Sequence, residues 1–481
     1  MELTSCQAEA AEAFEQFMLD EDMTVFGLFG YAGTGKSHMT SRFIKQYMVG
    51  KTVFLASPTH KAAHVLRGFL RSIGVQYTDT PLNVAVDRLQ ASIQWRRERG
   101  YDASAEELEL ALTMEDGAQP VVGTTAQLLG IRPDIKQDQD AHDLKFSKVA
   151  RGSIETMTKV DWVIVDEVSM LSFDHFNMAV KLAKERGAKI LVVGDPGQLP
   201  PVNAGAIPFD RFGNKATLTE VVRTNSSAIL NIATAIRNGR DFWGIRGGGV
   251  HHVSNVSSTF LANLTDPPGE DEASWQVYVA YRNVVVDAVS DAACLKLYGH
   301  GRGTIASGEV VLATNTLSRG RGPVRQTLCT NGETLVVENV GLAGEWGQNV
   351  TVRSVSSGLR FDAEYLPEAE ARNPESRYNL TLRRLRLAAE DLQKRFNSAK
   401  SIGDYDDAQR LDSVRRQAWA SYFQLRDDTV LGVAHPFAIT SHKSQGSSYR
   451  KAFVDATDMQ SFDPRALYVG VTRPKEELVI G

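Results

Sequence analysis

Residues Gly30 to Ser37 read Gly-Tyr-Ala-Gly-Thr-Gly-Lys-Ser, and this octapeptide narrows the possible folds of the 481-residue chain more than any other stretch. It matches G-x-x-x-x-G-K-[ST], follows the apolar run Thr24 to Phe29 and opens a helical pattern over Ser37 to Met48. Glycines at these spacings let backbone N–H groups turn inward around phosphate oxygens, and the start of the following helix adds positive partial charge. Gly33, Thr34 and Gly35 would form the cradle, Lys36 would reach the β and γ phosphates, and the Ser37 hydroxyl would hold Mg²⁺. A chance match is expected in about 2% of chains this long, so a mere glycine-rich turn is the weaker reading.

A phosphate loop between strand and helix calls for a parallel α/β sheet. Further buried strands are expected at Lys51 to Ala56, Trp162 to Val165 and Ile190 to Val193. Near Asn238 to Val250 the chain turns glycine-rich and loses periodicity, as a linker would. A second α/β pattern follows, with a strand at Gln276 to Ala280 and a helix at Val284 to Leu297. It resumes with strands at Phe437 to Thr440, Lys451 to Val454 and Glu477 to Ile480. An insertion of roughly 130 residues therefore splits the second domain. Its first part is strand-like (Glu309 to Ala313, Thr334 to Glu338, Val350 to Ser354, with an Asn331-Gly332 turn), which predicts a small β-barrel. Its second part spaces Tyr378, Leu382, Leu385, Ala389, Leu392 and Phe396, then Leu411, Val414, Ala418, Tyr422 and Leu425, by threes and fours. Two antiparallel helices turning at Ser401 to Asp404, with Asp404 as N-cap, are expected. Arg383, Arg384, Arg386, Arg415 and Arg416 read as solvated charges of this arm. Leu82 to Trp95 and Ala105 to Met114 read as two further helices, the latter with a Ser104-x-x-Glu107 capping box, and carry no assignable chemistry.

Fifty-three basic against 58 acidic residues leave a net charge of −5, so any surface for a polyanion must be a local groove. No apolar run approaches a membrane span, and the first residues lack the basic-then-apolar pattern of a secretory signal. Cys6, Cys294 and Cys329 lie too far apart to suggest a disulfide framework or a metal knuckle. A soluble, cytoplasmic protein is the expectation.

Asp166-Glu167 ends the run Trp162 to Val165, where carboxylates point into the crevice in which α/β sheets bind ligands. Asp166 suits Mg²⁺ and Glu167 the attacking water. Gln198, in Gly194-Asp195-Pro196-Gly197-Gln198 after the next strand, suits sensing of the γ-phosphate. Other strings follow in order: Ser57-Pro58-Thr59-His60-Lys61-Ala62-Ala63, Gly123-Thr124-Thr125-Ala126-Gln127, Leu218-Thr219-Glu220-Val221-Val222-Arg223, Thr440-Ser441-His442-Lys443-Ser444-Gln445-Gly446 and Leu467-Tyr468-Val469-Gly470-Val471-Thr472-Arg473. With Gln7 ahead of them, these strings resemble the superfamily 1 helicases of the RecD and bacteriophage Dda type. The resemblance covers most of the chain apart from residues 75–122 and part of the arm.

The resemblance implies two RecA-like P-loop domains with parallel sheets, residues 1–240 and residues 241–300 with 430–481, and ATP between them. It implies a β-hairpin pin at 130–156 in the first domain. In the second it implies an SH3-like barrel at 301–364 and a helical-hairpin arm at 365–429. Arg223 and Arg473 would join Lys36, Asp166, Glu167 and Gln198 in catalysis; Gln7, Gln445 and Gly446 would join the nucleotide site. Gln7 is also the last residue of a Thr4-x-x-Gln7 capping box, so adenine and the helix end compete for its amide. Pro58, Thr59, His60, Lys61, Thr124, Thr125, His442 and Lys443 would contact DNA. Phe146, with Pro133 beside it, would be the wedge of the pin, against the alternative of a phenylalanine packed beneath the hairpin. The implied activity is an ATP-dependent DNA helicase moving 5′ to 3′ on single-stranded DNA, a monomer working at duplex junctions with replication or recombination proteins. A translocase that strips proteins without unwinding, and a nucleotide-gated DNA-binding module, stand as alternatives.

Overall fold

The computed structural model describes residues 3–79, 82–98, 100–116, 119–133, 146–148, 159–201, 204–221, 227–319 and 326–481. The chain divides into two compact units. One comprises Met1–Thr259, Gln276–Val286 and Ile439–Gly481; the other comprises Phe260–Trp275 and Asp287–Ala438.

The first unit opens with α1 (Ser5–Leu19), β1 (Val25–Gly30), α2 (Lys36–Tyr47), β2 (Val53–Ser57) and α3 (His60–Ser72). Helices α4 (Leu82–Glu98) and α5 (Ser104–Asp116) follow, then β3 (Val121–Thr124), α6 (Thr125–Leu129) and an antiparallel ribbon of β4 (Ile131–Pro133) with β5 (Phe146–Lys148). Strand β6 (Trp162–Val165), α7 (Phe173–Glu185), β7 (Lys189–Gly194), β8 (Lys215–Leu218) and α8 (Ser227–Arg237) complete the lobe. Its sheet is parallel throughout, in the order β3-β2-β6-β7-β1-β8. Strand alternation sorts side chains between two cores. Trp162 and Ile164 join Phe14, Phe26 and Phe43 on one face, and Val163 and Val165 join Phe29 and Phe54 on the other. Phe14 stacks on Phe43 at 3.9 Å, which locks α1 against α2 behind the phosphate loop.

The chain then supplies β9 (Val250–His252) and β10 (Gln276–Ala280). It passes through β11 (Val310–Ala313), β12 (Leu317–Arg319), β13 (Gln326–Cys329), β14 (Thr334–Ala343), β15 (Gln348–Ser354), β16 (Arg360–Tyr365), β17 (Val430–Leu431) and β18 (Val433–Ala434) of the second unit. It returns as β19 (Ala438–Thr440), β20 (Tyr449–Val454) and β21 (Pro474–Ile480). A second sheet, ordered β19-β10-β20-β21-β9, is parallel from β10 to β9.

In the second unit the sheet order is β17-β16-β15-β14-β11-β18. The two edge strands are separated in sequence by Gly432 alone, so the sheet has to curl until its edges meet. A Cβ on Gly432 would lie 2.4 Å from the Thr314 hydroxyl, so the closing residue is glycine for want of space. Val311, Leu335, Val337, Val350, Val352, Phe361 and Leu431 fill the barrel. The arm is a pair of helices, Arg377–Ser401 and Tyr405–Phe423. Gly403 turns at φ 77°, and the Asp404 carboxylate accepts the Asp407 N–H as its cap.

Two expectations need correction. The Ser104–Glu107 capping box does not form: Asp102 accepts the Ser104 N–H at 3.1 Å, and Glu107 pairs with Arg97 at 2.7 Å. Arg415 is not a freely solvated arm charge: it donates to Gln393 and lies 4.5 Å above the Phe396 ring, while Arg386 is held near Glu390. Asn331-Gly332 makes the expected turn, with Gly332 at φ 86°, and joins β13 to β14, whose ladders run with different partners. Residues 134–145 and 149–158 of the hairpin, and Arg223, lie outside the described residues.

Candidate nucleotide and nucleic-acid site

The phosphate loop wraps at the C-terminal end of β1. Gly33 (φ 80°) and Gly35 (φ 88°) take left-handed conformations that side chains resist, which lets the loop double back and start α2 at Lys36. The Lys36 ammonium donates to the Gly30 and Tyr31 carbonyls at 2.8 and 3.1 Å, so it lies folded across the mouth of the loop. Thr34 is fully buried and donates its hydroxyl to Tyr31 O.

Gln7 braces this loop from behind. Its Nε2 donates to the Thr34 carbonyl at 3.2 Å, and its Oε1 accepts the Thr4 N–H at 3.3 Å. The capping box is thus made, and both ends of the buried amide are engaged in this conformation. Ser5 and the Cys6 N–H both donate to Glu220, which ties the same helix start to the segment leading to Arg223.

Asp166 and Glu167 follow β6. Glu167 is a non-glycine residue in the left-handed region (φ 51°), a strained turn in which its N–H donates to Asp166 Oδ1 at 2.9 Å. Burial, then the charge of Glu167, pushes the Asp166 carboxyl well above its usual range. Burial also raises Glu167; Lys36 and Arg473 pull it back, and Asp195 pushes it further up. Two carboxylates disfavoured as anions are what a divalent cation relieves, so Asp166, with the Ser37 hydroxyl, fits Mg²⁺.

Residues from the second lobe meet this cluster. Arg473 is 6% exposed and donates to the carbonyls of Val469 and Ser447 and to the Thr472 hydroxyl. No carboxylate among the described residues forms an ion pair with it. Gln445 donates to Gln198 Oε1 and to the Leu199 carbonyl, both at 3.3 Å. The Gln198 side chain in turn stabilises the Glu167 carboxylate. Tyr468 donates its hydroxyl to the buried Asp195 at 2.8 Å and accepts the Ala32 N–H of the phosphate loop at 3.1 Å. Reading the motifs as strings gave Tyr468 and Asp195 no role; the only sequence signal was their place inside two of those strings.

Three threonines of the polynucleotide strings share one geometry. Thr124 and Thr440 each end a strand and Thr59 lies two residues past one; all three cap the helix that follows, accepting the N–H of Gln127, Lys443 and Ala62 respectively. Ser57 and Thr124 are register partners on β2 and β3, so their two strings lie side by side at the same end of the sheet. Pro58 precedes the Thr59 cap, and Thr125 is buried at the start of α6. Lys61 reaches the Tyr449 hydroxyl of the second lobe at 3.5 Å. Burial lowers His60 and His442, so both imidazoles are neutral near pH 7 and offer single hydrogen bonds rather than charge. Lys443 is exposed beside His442.

A family model described as an AAA domain matches residues 2–253, just over half the chain, and one described as a UvrD-like helicase C-terminal domain matches residues 435–480. An uncharacterized protein of Acanthamoeba polyphaga mimivirus is 22% identical across 98% of this chain and 98% of its own. Among solved structures, the Pif1 helicase from Bacteroides in complex with ADP-AlF3 and ssDNA is 17% identical over 100% of this chain and 92% of that one, with a TM-score of 0.48. Pif1 helicase from Candida albicans is 14% identical over 100% and 95%, with a TM-score of 0.42. By the AAA-domain match over its first half and the UvrD-like helicase C-terminal match that carries Gln445 and Arg473, the chain belongs to the superfamily 1 helicases and is an ATP-hydrolysing helicase.

Proposed function

We propose that this helicase moves along single-stranded DNA from 5′ to 3′ and separates duplex DNA ahead of it. The observation that carries the reading is that Gln445 and Tyr468 of the second lobe bond Gln198, Asp195 and the phosphate-loop Ala32 N–H of the first. A γ-phosphate placed there would draw Arg473 and Gln445 towards Lys36, so nucleotide binding tightens the two lobes and hydrolysis loosens them. Glu167, with its raised pKa, takes a proton from the attacking water. Mg²⁺ on Ser37 and Asp166 would neutralise charge on the phosphates. Arg223 belongs to the same set by its string, and Gln7 would read adenine after giving up one of its present bonds.

On this reading the polynucleotide runs past the strings that hold Pro58 to Lys61, Thr124, Thr125, His442 and Lys443, and the lobes alternate their grip. The hairpin at 130–156 would be the pin, with Phe146 as its wedge and Pro133 beside it. Residues 1–240, and 241–300 with 430–481, would be the motor domains, 301–364 the SH3-like barrel and 365–429 the arm. The protein would act as a monomer at replication or recombination intermediates. Unwinding of duplexes carrying a 5′ or a 3′ single-stranded tail, with ATP and Mg²⁺, tests the reading. Separation of the 5′-tailed substrate alone is expected; equal rates, or a preference for the 3′ tail, would overturn the polarity.

A further inference from the structure

Beside His442, outside every string discussed so far, the second lobe carries a ladder of rings that the nucleotide site does not use. Tyr281, just past the end of β10, stacks on Phe462 with ring centroids 5.0 Å apart and planes 5° from parallel. On its other side the Tyr281 ring meets His442 at 5.5 Å and 59°. The Arg282 guanidinium lies 5.6 Å from the Phe462 ring. Phe462 itself is 55% exposed, although its partner Tyr281 is half-buried.

The ladder is held rigid from below. Asp458, almost fully buried, accepts the N–H groups of Tyr281 and Arg282 at 2.7 and 3.0 Å and pairs with Arg282 Nε at 2.5 Å. Asp458 is itself fixed by its N–H donating to Asp455, whose other carboxylate oxygen accepts the Tyr278 hydroxyl. An apolar ring fixed in water, with a guanidinium beside it and the exposed Lys443 next in sequence to His442, which meets the Tyr281 ring behind it, has the chemistry of a base platform: a π-face for the base and cations for the phosphates. A single exposed phenylalanine is unremarkable; one stacked parallel on a second ring and anchored through a buried carboxylate is not explained by core packing.

We infer that Phe462, backed by Tyr281, is a stacking platform for one nucleobase of the single strand. The inference rests on the proposed single-stranded DNA substrate. Stacking is blind to base identity but requires a base, which gives the test. Binding of an oligothymidylate and of an oligonucleotide of equal length made wholly of abasic residues is measured by fluorescence anisotropy at one salt concentration. For the wild type, the oligothymidylate should bind more tightly. Phe462→Ala should weaken oligothymidylate binding by roughly 10-fold and leave abasic binding within about twofold, and Phe462→Tyr should restore the preference. An unchanged preference in Phe462→Ala, or equal weakening for both oligonucleotides, would overturn the platform while leaving the DNA reading in place. Failure of the wild type to bind either oligonucleotide would sink the DNA reading beneath it.

Discussion

A guanidinium taken out of water needs its N–H groups answered and its charge met. Arg473 has the first from carbonyls and a hydroxyl of its own lobe, while the raised Glu167 carboxylate leads the groups that offset its charge, with Tyr449, Tyr468 and the buried Asp195 after it, and none of them forms an ion pair with it. Such an arginine is prepared for an anion that arrives and leaves. Glu167 beside Asp166 keeps a strained left-handed backbone, of the kind that persists at functional sites. Glu167→Gln keeps the shape and removes the base, so ATP should still bind while turnover falls roughly 100-fold or more. Lys36→Ala removes the ammonium at the loop mouth and should weaken ATP binding and abolish turnover together. Equilibrium binding of a labelled nucleotide alongside steady-state hydrolysis separates the two outcomes. These residues were legible in the sequence because phosphate chemistry fixes their types and spacing within a few positions. The bond from Gln7 to Thr34 was not, because it joins residues 27 apart through a backbone carbonyl, which leaves no mark on residue type.

At the scale of elements, the central strands β1, β2, β6 and β7 were legible as apolar runs because both of their faces are covered. The edge strands β8 and β9 were missed: one exposed face dilutes the apolar signal in Lys215–Leu218, and Val250–His252 is only three residues long. The barrel was legible as a class, yet its polar keystone was not. Glu309, 3% exposed, bridges His300 at 2.7 Å and His435 at 2.9 Å, residues brought together from positions 126 apart. Burial pushes the Glu309 carboxyl up, but the bonds and charge of His435, the Ala306 N–H and His300 outweigh it, and the group ends below its usual value of 4.5. A carboxylate depressed in the folded state stabilises at pH values above its unfolded pKa, and that contribution is lost as pH falls through the folded value. Glu309→Gln should therefore cost about 1.5–3 kcal/mol at pH 7. The gap between variant and wild type should narrow below pH 4.5. Urea unfolding at pH 7 and at pH 4 reads this directly, and a gap that does not narrow would remove Glu309 as the titrating group.

At the scale of the whole motor, the open question is how one lobe learns that the other holds triphosphate. In the proposed mechanism Arg473 and Gln445 would respond to the γ-phosphate itself, but Tyr468 is wired differently. Its hydroxyl joins a backbone N–H of the phosphate loop to the buried Asp195 in the glutamine-sensor loop, and it does so from the second lobe. Asp195 Oδ1 also accepts the Gly197 N–H, and a Cβ on Gly197 would come within 3.2 Å of the Tyr468 ring, so sensor loop and ring are packed without slack. Any turn of the second lobe must then break or carry these bonds, and the loop beside Gln198 moves with them. Tyr468→Phe preserves the ring and deletes only the hydroxyl, leaving Asp195 with one fewer donor and Ala32 without its acceptor. The fold should survive, since the loss is two hydrogen bonds, one of them to a charged group, about 2–4.5 kcal/mol together. If the hydroxyl links lobe position to the site, hydrolysis without DNA should change little, whereas its acceleration by single-stranded DNA should drop several-fold. If the hydroxyl only stabilises the fold, both rates should fall in proportion to the fraction of protein unfolded. Steady-state ATPase with and without single-stranded DNA, set beside the unfolding midpoint, distinguishes a linkage between the lobes from simple loss of structure.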